Sequence, residues 1–86
     1  MNEFRLVISS PDGNLFDSAA TVLSLRGADG DLAIMAGHAR FITSVVPGKV
    51  TVTLPDDSVR SAHTDGGLLT VGDDFVTLIS SSFSWE

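Results

Sequence analysis

An all-β fold, a flattened antiparallel β-sandwich of about ten short strands, is predicted by three observations. Short apolar runs recur along the whole chain, turn residues interrupt them every ~8–12 positions, and several runs alternate apolar with polar residues at period two. Such alternation buries one side of a strand and wets the other, so each run can cover part of a shared core. The chain has 86 residues and 43% hydrophobic content, enough for one globular domain. A domain of this size buries only roughly 60–65% of the surface of its unfolded chain. The domain is read as residues 1–80, with 81–86 a short C-terminal tail.

Phe4-Arg5-Leu6-Val7-Ile8 opens the chain as a strand rich in β-branched and aromatic residues. Pro11-Asp12-Gly13-Asn14 is a turn, with proline pre-setting φ and Gly13 available for a left-handed position. Leu15-Phe16-Asp17 follows. In Thr21–Arg26 the period places Thr21, Leu23 and Leu25 on one side and Val22, Ser24 and Arg26 on the other. Gly27-Ala28-Asp29-Gly30-Asp31 is a second turn, where short acids bond their own turn amides. Between Leu32 and Ile42 the alanines, Leu32 and Met35 would suit a helix, but Gly37 in the middle argues for strand, turn and strand. The two strands are Leu32–Met35 and Phe41–Val46, parted by Gly37-His38.

Pro47-Gly48 then turns the chain into Lys49–Leu54, with Val50, Val52 and Leu54 inward, and Pro55-Asp56-Asp57-Ser58 forms a tight hairpin loop. Ser58–Thr64, Leu68–Val71 and Phe75–Ser80 complete the set, separated by Asp65-Gly66-Gly67 and Gly72-Asp73-Asp74. The tail after Ser80 is read as fraying, with Phe83 or Trp85 tacked back onto the sheet.

Composition excludes several function classes. Eleven acids against five bases give a net charge of −6, which phosphate backbones repel, so nucleic acid is no partner. The chain has no cysteine and therefore no disulfide framework or thiolate metal site. No run approaches the ~18 apolar residues of a membrane span, and the N-terminus lacks the apolar core of a signal peptide. A soluble protein without direct membrane insertion is expected.

The residues that could carry chemistry do not assemble into a site. Read as a calcium loop starting at Asp29, the pattern fails, because Ala33 and Arg40 stand where acids are needed. Asp56-Asp57 and Asp73-Asp74 sit on separate hairpin ends and read as solvated turn residues rather than a general acid and base. Ser61, His63 and Asp65 alternate along one strand, too tightly spaced to converge as a triad. No glycine-rich phosphate loop ending in Lys-Ser or Lys-Thr is present, and the single lysine, Lys49, falls on a strand. No catalytic, cofactor-binding or metal-binding residue and no small-molecule substrate is expected.

The order of the turn motifs resembles the N-terminal β-domain of the epsilon subunit family of rotary F-type ATP synthases. The residues that carry the likeness are Ser10-Pro11-Asp12-Gly13 with Phe16, then Gly27-Ala28-Asp29-Gly30-Asp31, then Gly37-His38-Ala39 with Ile42-Thr43. Pro47-Gly48, Gly66-Gly67-Leu68-Leu69-Thr70-Val71 and Val76-Thr77-Leu78 follow in family order, so the likeness covers nearly the entire chain. Two departures stand out. The family carries proline before Gly-His and after Ala, where this chain has Ala36 and Arg40. The family's C-terminal two-helix domain has no counterpart in these residues, so its inhibitory and nucleotide-binding roles do not carry over.

The resemblance implies a non-catalytic central-stalk subunit that couples the gamma subunit to the membrane c-ring during ion-driven ATP synthesis. It places the protein at the cytoplasmic face of the bacterial inner membrane, as a peripheral part of the complex. It further implies gamma contact through His38, Ala39, Arg40, Phe41, Ile42 and Thr43, and c-ring contact through Asp29 and Asp31, since the family's c-ring loops are basic. The competing reading is a free-standing β-sandwich module for carbohydrate or peptide. Against sugar stands a single tryptophan, Trp85, and no tyrosine from which to build a stacking platform.

Overall fold

Ten strands and no helix make up the computed structural model, which describes residues 3–37, 39–73 and 75–86. They are β1 (Phe4–Ser10), β2 (Gly13–Ala20), β3 (Val22–Gly27), β4 (Gly30–Met35) and β5 (Phe41–Val45) in the first half. The second half holds β6 (Gly48–Thr53), β7 (Val59–Thr64), β8 (Gly67–Val71), β9 (Phe75–Ser80) and β10 (Phe83–Trp85). Strand, turn and strand between residues 30 and 45 is what Gly37 argued for, and its φ of 81° is the left-handed turn value. The last residues do not fray, and the expectation that Phe83 or Trp85 tacks back onto the sheet is met by a short tenth strand. Phe83, Ser84 and Trp85 pair in register with Thr64, His63 and Ala62 of β7, because their alternation matches an inward face still open there.

The strands form one sheet in the order β10-β7-β6-β3-β5-β8-β9-β1-β2, with β4 paired to β3. The sheet curls so that β10-β7-β6-β3-β4 and β5-β8-β9-β1-β2 pack face to face as a sandwich. Every pairing is antiparallel except β1 with β9, where Arg5–Ser9 runs beside Phe75–Ile79 in the same direction. A single core fills the space between the layers. Leu6, Ile8, Leu23, Ile34, Val50, Val52, Leu69 and Leu78 are fully buried in it, drawn from six strands by the period-two pattern. Thr21, Leu23 and Leu25 face inward as the alternation requires, and so do Val50 and Val52.

Two joints connect the layers. At one, β3 changes partner along its length. Val22–Ser24 pair with β6, while Gly27 pairs with Val45 of β5, helped by Ala28 N–H to Ser44 O at 3.1 Å and Val46 N–H to Arg26 O at 3.0 Å. At the other, the rings of Phe16 on β2 and Trp85 on β10 meet at 6.0 Å, and the Arg60 guanidinium lies 3.8 Å over the Trp85 ring.

The crossings between β7 and β8 and between β9 and β10 share one buried polar knot. Thr64 and Ser80 hydroxyls lie 2.6 Å apart, and with one proton each Thr64 donates to Ser80 while Ser80 donates onward to the Ser82 carbonyl at 2.8 Å or the Gly66 carbonyl at 3.1 Å. Gly66 N–H in turn donates to Thr64 Oγ1 at 3.1 Å, so the hydroxyls are fully matched, as burial demands. Gly66 takes φ +113°, and a Cβ there would stand 2.8 Å from the Val45 carbonyl oxygen. Gly67 is tighter still, since any Cβ would press into the Ile79 carbonyl.

Candidate functional site

The strand directions sort the expected contact residues to two ends of the sandwich. The Pro11-Asp12, Ala28-Asp29, Val46-Pro47 and Asp65-Gly66 turns and the Ser81-Ser82 corner share one end. The 36–40 connection, the Leu54–Ser58 hairpin loop and the 72–74 turn share the opposite end. Asp29 and Asp31 therefore stand at the first end, and residues 39 and 40 at the second.

At the first end Asp29 and Asp31 are both exposed, and Gly30 between them takes φ +126° to close the β3–β4 hairpin. Asp31 accepts from Arg26 Nε at 3.0 Å across the hairpin. Both partners face solvent, so the pair is worth only about 0–1 kcal/mol and leaves the turn acidic with one partial neutralisation. A shallow groove of about 520 Å³ opens beside it where β6 parts from β3, bordered by Ser24, Arg26, Asp31, Ala33, Lys49 and Thr51.

At the second end Arg40 reaches Asp73 at 3.8 Å, which ties the 36–40 connection to the β8–β9 turn. The expected contact residue His38 lies outside the described residues. Ala39 and Arg40 are exposed. Along β5 the alternation divides the rest: Phe41 and Thr43 are half-buried on the inward side, and Ile42 projects outward. The strand thus offers one of its three expected residues fully to a partner.

Ile42 does not stand alone. On the outer face of the β5-β8-β9 layer, Ile42 is 66% exposed, Ile79 52%, Phe75 49% and Leu68 42%. Leu68 is the cross-strand partner of Ile79, while Ile42 lies opposite Thr70 and Phe75 beside Arg5 of β1, so the four share one outer face with Thr70 and Thr77 between them. Arg5, bonded to Asp17 through Nε at 2.6 Å, borders it on one side and the Arg40–Asp73 pair on another. Sequence reading missed Leu68, Phe75 and Ile79. The signal was present: in β8 and β9 apolar residues occupy both phases of the alternation, as Leu68-Leu69 and Leu78-Ile79 show.

Elsewhere the ionisable groups stand apart. His63 Nε2 is 3.8 Å from Asp65, and Ser61 lies along the same strand with its own cross-strand partner, Thr51. Asp56 accepts from the Ser58 hydroxyl and from Ser58 N–H at 3.0 Å, and these bonds hold its carboxyl below the ordinary value of 3.8. Among the described residues no group of three or more His, Asp or Glu side chains gathers as metal ligands, and no helix is long and apolar enough to cross a membrane.

The molecule is a small ten-stranded β-sandwich domain with four exposed large hydrophobics on one outer face. The sequence profile of the family described as ATP synthase, Delta/Epsilon chain, beta-sandwich domain matches residues 3–86, and the chain belongs to that family. It is 32% identical over 81 residues to the ATP synthase epsilon chain of Wolbachia pipientis wMel, covering 94% of this chain and 71% of that one. In fold it is similar to a chain in the cryo-EM structure of the Euglena gracilis mitochondrial ATP synthase (OSCP/F1/c-ring, rotational state 1), with a TM-score of 0.92 at 17% identity. A chain of the Tetrahymena thermophila mitochondrial ATP synthase central stalk/c-ring structure follows, with a TM-score of 0.76 at 11% identity. These two likenesses cover 99% and 92% of this chain, which spans 54% and 63% of the respective neighbours.

Proposed function

We propose that this chain is a non-catalytic rotor subunit of an F-type ATP synthase, held between a gamma subunit and the membrane c-ring so that torque passes from ring to catalytic head. The set of Ile42, Leu68, Phe75 and Ile79 on one outer face carries the reading. In a domain with so small a core, four large exposed hydrophobics on one sheet face are costly unless a partner covers them. Gamma is that partner, docking on this face with Ala39 and Arg40 at its margin and His38 as a further contact.

Asp29 and Asp31 project from the opposite end and face the basic loops of the c-ring. The charge match orients the domain more than it holds it, given the small worth of exposed pairs. A rigid block with an adhesive side and an acidic tip is suited to transmitting torque, because a cross-linked β-sandwich resists shear between its layers. The location that goes with this role is the cytoplasmic face of a bacterial inner membrane, as a peripheral part of the complex.

Co-purification tests the gamma contact. Tagged chain retains gamma, and Ile42→Glu with Phe75→Glu releases it while the β-type circular dichroism stays unchanged; retention by the folded double variant refutes the docking face. For orientation, Asp31→Cys in the assembled complex forms a disulfide with a cysteine placed in the c-subunit loop. Capture of gamma or the catalytic head from that position reverses the assignment of ends.

A further inference from the structure

The free margins of the sheet are not equally protected. β2 carries a bulge at Leu15, where Ile8 pairs with Phe16 and Ser9 with Asn14, and it holds Asp17 near its centre. β10 is three residues long and is shielded by the contact of Trp85 with Phe16 of β2. β5 is engaged at its end by Ala28 and Arg26 of the β3 arm. These are the usual devices that keep sheet edges from pairing with other chains. Among the described residues β4 has no bulge and no covering contact, and its one charge, Asp31, lies at the start of the strand and is paired with Arg26. Its six residues, Gly30-Asp31-Leu32-Ala33-Ile34-Met35, pair regularly with β3 without a bulge, and they contain no lysine or proline.

The direction of its open hydrogen-bonding groups follows from β3. Arg26 C=O and Ala28 N–H point to β5, on the side of β3 away from β4. By alternation Leu23, Leu25 and Gly27 turn their amides towards β4, where they meet Ile34, Leu32 and Gly30. Asp31, Ala33 and Met35 therefore present N–H and C=O to the open edge, and all three are exposed.

We infer that β4 is a self-pairing edge, joining two copies of this chain antiparallel about a two-fold axis at Ala33. The occupant is a second copy because the strand is its own complement. With Ala33 opposite Ala33, Asp31 falls opposite the partner copy's Met35, and Leu32 falls opposite the partner copy's Ile34 on the inner face. Each residue keeps its side of the sheet, so the register preserves burial. No like charges stand directly opposite, and Asp31 is already matched by Arg26 at 3.0 Å. The methyl of Ala33 leaves the axis unobstructed. The contact is small, and each chain carries a charge of −6, so association is weak and strengthens as salt screens the repulsion.

Sedimentation velocity on the free 86-residue chain tests the inference without gamma or c-ring, so its outcome is separate from that of the rotor reading. The expected result is a monomer–dimer equilibrium with a dissociation constant on the order of 10⁻⁴ M, tightening as salt is raised. Ala33→Pro removes the central outward N–H, at an edge position where proline is tolerated, and gives monomer with the native far-ultraviolet spectrum. In this cysteine-free chain Ala33→Cys is joined into covalent dimers by a short thiol-to-thiol crosslinker, and Ala28→Cys on the neighbouring turn is not. Monomer alone up to roughly 1 mM, or crosslinking at position 28 as fast as at 33, overturns the inference.

Discussion

The two outer faces of the sandwich are made by the same alternation and finish with opposite character. The β5-β8-β9 face carries Ile42, Leu68, Phe75 and Ile79 around Thr70 and Thr77, whereas the β6-β3-β4 face carries Thr51, Thr53, Ser24, Ala33 and Lys49 with Met35 as its exposed large hydrophobic. Their inner faces are indistinguishable, since each contributes fully buried Leu, Ile or Val to one core. Folding asks only that one phase of each strand be apolar. The second phase is free, and on one layer it has been made apolar where stability alone would favour the threonines and serines of the other.

The largest effect expected from probing this contrast comes from paired glycines, one in each layer. Gly67→Ala in β8 forces a methyl into the Ile79 carbonyl, so the strand must shift; unfolding in urea is expected to show a loss of about 3–5 kcal/mol. Gly48→Ala in β6 meets nothing within 4 Å and changes stability by less than ~1 kcal/mol. Equal losses at both would show that the layers are equally tight and that the contrast is confined to their surfaces.

Next in size is the binding contrast. Phe75→Ala is expected to weaken gamma capture by about 2 kcal/mol, roughly thirtyfold, and to leave stability within about 0.5 kcal/mol. Ser24→Ala with Thr51→Ala on the other face leaves capture unchanged. A titration of gamma against immobilised chain reads both, and equal weakening by the two sets would place the partner on neither face in particular.

Removing one hydroxyl from the knot that joins the layers comes third. Ser80→Ala deprives Thr64 and the Gly66 carbonyl of a buried partner and costs about 1–2 kcal/mol in thermal or urea unfolding. A cost no larger than that of Ser84→Ala on the exposed strand would mean that the knot adds nothing beyond its neighbours' packing.

The smallest effect is electrostatic. Asp56 bonds Ser58 in the β6–β7 loop, and its carboxyl is held below 3.8. A depressed acid of this kind favours the fold above its unfolded pKa, and the preference is lost as pH falls through the lower folded value. Carbon-detected titration should place the Asp56 midpoint below 3.8 and return it to the ordinary range in Ser58→Ala.

Most of the strand positions were legible because apolar alternation and turn chemistry are local. Thr21–Arg26 and Lys49–Leu54 declared their inward residues, and Gly37 decided against a helix between Leu32 and Ile42. The parallel pairing of β1 with β9 was not legible, since nothing in Phe4–Ile8 says which distant run lies beside it. β10 was foreseen only as Phe83 or Trp85 tacked back onto the sheet, for a related reason: three residues are too few to show a period, and only the unpaired flank of β7 makes them a strand. Of the proposed site, the His38–Thr43 stretch was named by motif order, while adding Leu68, Phe75 and Ile79 depended on knowing that β5, β8 and β9 are neighbours.

That parallel pairing also sets a timetable. β1 leaves the ribosome well ahead of β9, yet Arg5–Ser9 lie against Phe75–Ile79 in the middle of one layer. Until the final strands emerge, Leu6 and Ile8 lack the neighbour that encloses them, and the β1–β2 hairpin must wait with its apolar side open. Closure then requires joining segments about as far apart as the chain permits, which places the domain among the slow folders of its size, in the millisecond-to-second range. A nascent chain stalled before residue 75 should remain protease-sensitive, and emergence of residues 75–85 should convert it to the resistant form in one step.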